Sequence, residues 1–209
     1  RRGCSATSSI SSRGSDTETA DVYDLAMTKP ADRTLGSLVA EVPGARLVRG
    51  SPDTVVQALE YDSRQAKQGS LFIAVPGFVT DGHTYLPQVA AAGAAAAIVQ
   101  ADHVDSLLVL PETLALVSVP ATRPAQASAA AWFYGHPGRE MVVIGVTGTD
   151  GKTTTSRLLT SVLEAAGGRV GRLGTVDTYF PGESGKVTDR MTSPEAPEVQ
   201  RLLRRFADA

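Results

Sequence analysis

The stretch Met141-Val142-Val143-Ile144-Gly145-Val146-Thr147-Gly148-Thr149-Asp150-Gly151-Lys152-Thr153-Thr154 decides how the chain is read. Met141 to Val146 form a continuous apolar run, which predicts a strand of the type buried on both faces of a parallel sheet. Downstream, Leu158, Leu159, Val162, Leu163 and Ala166 recur at helical spacing, and Gly167-Gly168 ends the pattern. Arg169 to Leu173 predicts a second strand, so 141–174 reads as a β-loop-α-β unit.

Gly148 and Gly151 allow positive φ and close backbone approach to a ligand. Successive N–H groups of such a loop point inward at phosphate oxygens, and the helix N-terminus adds partial positive charge. Lys152 offers a mobile full charge for β and γ phosphates, and the Thr153 hydroxyl is placed to ligate Mg²⁺. Gly148, Thr149, Asp150, Gly151, Lys152, Thr153 and Thr154 are therefore the candidate ATP-binding residues, with Lys152 and Thr153 as the catalytic pair. The spacing departs from G-x-x-x-x-G-K-T, because Val146 stands six before Lys152 where that pattern has glycine. The bland alternative is a tight strand-to-helix turn carrying a surface lysine.

Working outward, Tyr134-Gly135-His136-Pro137-Gly138 is a cluster of breakers that predicts a domain boundary. Before it, strands are expected at Val55–Tyr61, Ser70–Val75, Ala95–Val99, Leu107–Leu110 and Leu114–Val119. Helices are expected at Leu35–Ala40, at Tyr85–Ala92 with Gly93 as C-cap, and from Pro124 to Trp132. The fold class is α/β: a small N-terminal α/β domain over 35–138, then an incomplete P-loop, Rossmann-like parallel-sheet ATPase domain over 139–209. That second part offers too few strands to bury a parallel sheet and is expected to be poorly stable alone.

Residues 1–34 are polar and without period, which predicts a disordered tail. The Ser/Arg-rich start also fits an organelle transit peptide, but Asp16, Glu18, Asp21 and Asp24 follow at once. The chain does not begin with Met and is expected to be a piece of something longer. A net charge of −2 gives no bulk attraction to nucleic acid or an anionic membrane. The longest apolar run, Val89 to Val99, is broken by Gly93 and falls short of the roughly 18 residues a span needs. Cys4 is the one cysteine, so an intramolecular disulfide is impossible and a reducing compartment fits.

The run Gly148-Thr149-Asp150-Gly151-Lys152-Thr153-Thr154-Thr155 resembles the phosphate loop of the Mur ligases and their folylpolyglutamate synthetase relatives. Asp150 stands where that family commonly has Asn, and its carboxylate fits only if it points away or towards Mg²⁺. Asp62-Ser63-Arg64, Gly69-Ser70-Leu71-Phe72-Ile73-Ala74, Gly77 and Asp81-Gly82-His83 are similar to the N-terminal domain of the Mur ligases adding the third residue or the terminal dipeptide. Phe133-Tyr134-Gly135-His136-Pro137, Gly174-Thr175 and Thr192-Ser193-Pro194-Glu195-Ala196 resemble the branch adding the third residue. The resemblance covers roughly residues 50 to 209.

By position it implies that Tyr61 and Ser63 hold the uracil end of a UDP-sugar, and that Phe78, Val79 and Thr80 meet the same nucleotide. Met191, Thr192 and Ser193 then touch the muramoyl-peptide end, Met191 through its backbone because its side chain offers no strong hydrogen bond. Bland readings stand beside these. Asp62-Ser63-Arg64 is also a strand-ending turn, Asp81-Gly82 a common turn pair, and His83 a packed or surface histidine. Ser193-Pro194-Glu195 also starts a helix, with Ser as N-cap and Pro first, or the helix begins only at Pro197.

The resemblance implies an ATP-dependent amide ligase using Mg²⁺, acting through an acyl phosphate on UDP-MurNAc-L-Ala-D-Glu and either meso-diaminopimelate or L-lysine. It implies a cytoplasmic monomer with no nucleic-acid partner and no membrane span, and a fragment inactive by itself. The alternatives are the sister ligase adding D-Ala-D-Ala and a non-catalytic nucleotide-binding protein.

Overall fold

The computed structural model describes residues 33–77, 80–174, 178–181 and 194–209. The tail expected over 1–34 lies outside these residues up to position 32. Arg33 and Thr34 belong to the fold instead: Arg33 is buried with its guanidinium over the Phe133 ring, and the Thr34 side chain caps the first helix by accepting from the Ser37 N–H.

That helix, α1 (Leu35–Glu41), leads into β1 (Arg46–Arg49), β2 (Ala58–Glu60) and β3 (Ser70–Ile73). After a 3-10 turn at Gly82–Tyr85 come α2 (Leu86–Ala91), β4 (Ala96–Gln100), α3 (Val104–Leu107), β5 (Ala115–Val119) and α4 (Thr122–Phe133). The sheet order is β1-β5-β4-β3-β2, with β2 to β5 parallel and β1 antiparallel at the edge.

Successive residues of β3 and β4 face opposite sides, and both sides are covered. Leu71, Ile73, Ala96 and Ile98 pack with α1 and α4 through Leu38, Ala129 and Phe133. Phe72, Ala97, Val99 and Leu116 pack the other way, on Leu86, Val89 and Leu107. This three-layer arrangement is why the two central strands read as unbroken apolar runs.

Two expectations for this unit need correction. Leu107–Leu110 is not a strand: Leu107 ends α3, and Leu110 N–H donates back to Leu107 O at 3.1 Å. Leu107 and Leu110 are buried while Val109 is 87% exposed, a spacing of three that suits a helical turn rather than a pleat. The sequence reading also missed β1. Its flanking arginines suit an edge, and Arg49 donates to the carbonyls of Leu110 and Leu114 at 3.0 Å. Gly50 follows at φ +106, and a Cβ there would stand 2.4 Å from the Ala115 side chain.

Beyond a left-handed exit from α4 at Gly135 and His136, the second half differs more. Met141–Val146 is not a strand, and Val142, Val143 and Ile144 are exposed. A parallel strand apolar on both faces forms only between neighbours, and among the described residues none lies beside it. The helix after the loop, α5 (Lys152–Ala165), forms as expected, but Leu158 and Val162 on its apolar face are over 60% exposed. In place of a parallel continuation, β6 (Arg172–Leu173) pairs antiparallel with β7 (Thr178–Tyr179).

The last helix, α6 (Ala196–Asp208), begins neither at Pro194 nor at Pro197, but at Ala196 with Glu195 as N-cap. Assigned by sequence to the second domain, it docks on α4 of the first. Leu202 is buried, the Phe206 ring lies 4.8 Å from Phe180, and Arg204 pairs with Glu140 at 2.7 Å and with Asp208.

Tyr134, at the end of α4, is buried, and that burial pushes its phenol up from 10.0 to about 12. The native state therefore holds this proton more tightly than the unfolded chain does. The resulting stability is complete below pH 10 and is lost as pH rises towards about 12, a loss on the order of 2–3 kcal/mol. Chemical denaturation across that range is expected to show the fall in the natural chain and a flatter profile in Tyr134→Phe.

Candidate functional site

The residues expected to form a phosphate loop hold a turn that leads into α5. Gly148 has φ +147 and Gly151 φ +80, conformations that a side chain would strain. Gly151 is the N-cap of α5, and the first intrahelical bond runs from Thr155 N–H to Gly151 O at 2.8 Å. The amides of Lys152, Thr153 and Thr154 therefore have no backbone acceptor among the described residues, as at the open N-terminus of any helix. Lys152 folds back across the turn, its Nζ donating to Gly148 O and, at 2.9 Å, to Thr149 O. Open amides, the helix dipole and one ammonium thus lie together on one exposed turn, a combination that favours an anion. Asp150, Thr153 and Thr154 are exposed on the same turn, and the Thr153 hydroxyl has no protein partner among the described residues.

A second group of expected residues gathers at the carboxyl ends of the parallel strands, the edge where open α/β sheets place ligands. Tyr61 directly follows β2. Ser63 opens a 3-10 turn capped by Asp62, whose side chain accepts from the Arg64 N–H. The Arg64 guanidinium also chelates Asp62 and, by hydrogen bonding, holds that carboxyl below the usual carboxylate range. Burial raises the Tyr61 phenol, and Glu198 and Glu195 of the α6 start add to the effect. Thr80 closes the loop leaving β3, its carbonyl accepting from Gly77 N–H at 3.0 Å. Phe78, Val79, Met191, Thr192 and Ser193 lie outside the described residues. Among those described, no hydrogen bond or ion pair joins the phosphate loop to this edge.

The sequence reading missed Arg123. Its guanidinium donates to Pro76 O at 3.1 Å and lies 3.9 Å from Glu195, tying the segment that leaves β3 to the start of α6. A cation in the first turn of a helix is disfavoured by the dipole, which is the signal that could have drawn attention to it.

Residues 55–134 match the family described as Mur ligase family, catalytic domain, and residues 146–209 match the Mur ligase middle domain. The UDP-N-acetylmuramyl-tripeptide synthetase of Roseiflexus sp. (strain RS-1) is 47% identical over 154 residues, covering 74% of this chain and 30% of that protein. The UDP-N-acetylmuramoyl-L-alanyl-D-glutamate--2,6-diaminopimelate ligase of Clostridium botulinum is 35% identical over 153 residues, covering 73% and 31%. A solved UDP-N-acetylmuramoyl-L-alanyl-D-glutamate--2,6-diaminopimelate ligase superposes with a TM-score of 0.54 at 22% identity, over 78% of this chain and 32% of that one, a likeness of fold alone. The chain spans about a third of the length of the curated relatives it matches.

Proposed function

The chain belongs to the Mur ligase family, and on that premise we propose that it carries the UDP-sugar-binding unit and the phosphate loop of a tripeptide synthetase. The reaction adds the third amino acid, meso-diaminopimelate or L-lysine, to UDP-MurNAc-L-Ala-D-Glu at the expense of ATP, in the cytoplasm. One observation carries the reading: the open amides of Lys152 to Thr154 directly after the positive-φ glycines Gly148 and Gly151, with the Lys152 ammonium folded back onto the Gly148 and Thr149 carbonyls. Among the described residues no helix is long and apolar enough to cross a membrane.

In this reading the loop amides take the phosphates, and Lys152 exchanges its two carbonyl partners for phosphate oxygens. A carboxylate oxygen of the substrate forms a bond to the γ-phosphorus as the bond to ADP breaks. The incoming amine then forms the C–N bond, loses a proton, and phosphate leaves. The protein supplies alignment and neutralises charge on the transferred group. Thr153 fits as a Mg²⁺ ligand because its hydroxyl has no competing protein partner among the described residues. Mg²⁺ held there would supply positive charge that offsets the negative charge of the phosphates. The apolar Met141–Val146 segment belongs, on this reading, to a parallel sheet of which the described residues supply no other strand.

The test is ADP release by the full-length protein. It is expected with UDP-MurNAc-L-Ala-D-Glu plus one of the two amino acids, and the preferred one identifies the substrate. Turnover only with the UDP-tripeptide and D-Ala-D-Ala would assign the sister ligase instead. ATP binding without turnover on either would leave a binding protein.

A further inference from the structure

At the carboxyl end of β4 a buried imidazole joins two elements. His83 is 5% exposed, and its Nε2 lies 2.9 Å from the backbone nitrogen of Gln100. That amide can only donate, so Nε2 accepts and the ring proton resides on Nδ1. Nδ1 stands 2.6 Å from Asp81 Oδ1, to which it donates, and the same oxygen accepts the His83 N–H at 2.9 Å. The ring is stacked on His103, 4.1 Å between centroids, and His103 reaches Asp102 at 2.8 Å and Asp81 at 3.4 Å.

Asp81, His83 and His103 offer donor atoms within 4.8 Å of one another, a spacing that suits a divalent cation. The Gln100 amide decides against that use. To ligate, Nδ1 must be unprotonated, which places a proton on Nε2 facing another N–H.

The connection instead serves the loop. Pro76 and Asp81 form a bridge, Gly82 N–H donates to Val75 O at 3.1 Å, and a Cβ on Gly82 would stand 2.8 Å from the Val75 backbone. Asp81 is thus the closing post of the loop that leaves β3, and His83 is a strut from that post to β4. We propose that His83 is a positioning residue for the nucleotide end of the substrate: through Asp81 and Gln100 it fixes where Thr80, whose carbonyl accepts from Gly77 N–H, stands beside the end of β3. This rests on the proposed function, which assigns Thr80 to the nucleotide.

The experiment titrates the 209-residue chain with UDP and, separately, with ATP. His83→Asn keeps a donor near Asp81 but cannot reach Gln100. It is expected to weaken UDP about tenfold, the equivalent of one hydrogen bond, with ATP affinity unchanged. His83→Gln, which places an acceptor near Gln100, is expected to recover part of the loss and stands in if His83→Asn does not fold. Nitrogen-15 shifts of the natural chain should report an unprotonated Nε2. A proton on Nε2, UDP affinity unaltered in both variants, or equal losses for UDP and ATP would each overturn the proposal. Failure of the natural chain to bind UDP would strike the substrate assignment itself, and the proposal with it.

Discussion

Lys152→Ala is expected to lower kcat/KM for ADP release by about 10²–10³-fold, the scale of removing one preorganised charge from a phosphoryl-transfer site. The side chain is exposed and, among the described residues, its partners are the carbonyls of its own loop, so nothing in either core depends on it. Far-UV dichroism and the denaturation midpoint should therefore match the natural protein. Lys152→Arg is expected to recover little, because a planar fork cannot occupy the small space between the Gly148 and Thr149 carbonyls that the ammonium spans. ATP titration separates the two contributions: weaker affinity with an equal fall in kcat would mean that the ammonium serves both ground state and transition state. An unchanged rate in Lys152→Ala would remove the loop from catalysis and with it the ligase reading.

Much of this loop was legible because its signals are local. Positive φ at Gly148 and Gly151, a helix start at Lys152 and a lysine at the rim all follow from a few adjacent residues. The same holds for β3, β4 and β5, where short, mainly apolar runs bounded by breakers leave little else possible. What escaped depends on partners distant in sequence. β1 is a strand only because β5 offers it an edge, and Arg-Leu-Val-Arg carries little β signal of its own. Met141–Val146 has the composition of a buried strand, yet composition supplies no neighbour to pair with. Arg204 reaches Glu140 across 64 positions, and Arg123 reaches Pro76 across 47, contacts that only the docking of α4 and α6 creates. His83 was readable as part of a turn motif, but the Gln100 amide that fixes its proton lies on another strand.

Phe72 and Leu158 put that difference to a quantitative test, since both lie in apolar patterns and sequence alone ranks them together. Phe72 is 1% exposed on β3, wedged among Leu86, Val89 and Leu116, whereas Leu158 on α5 is 63% exposed. Phe72→Ala removes buried area and leaves a cavity that the sheet cannot close, a loss of about 3–5 kcal/mol. Against a typical total of about 5–15 kcal/mol, that removes a large share of the N-terminal unit's stability and is expected to lower its urea midpoint markedly. Leu158→Ala should cost under about 0.5 kcal/mol in this chain, because the side chain is already in water and alanine is the better helix former. Urea denaturation followed by Trp132 fluorescence reads the first, since Trp132 lies in the core on the opposite face of the same sheet. If strands cover Val142 to Ile144 and the α5 face in the full-length protein, Leu158→Ala should there cost several kcal/mol, approaching Phe72→Ala. Equal, small losses in both settings would mean that the apolar face of α5 never meets a sheet, against the parallel-sheet reading of this half.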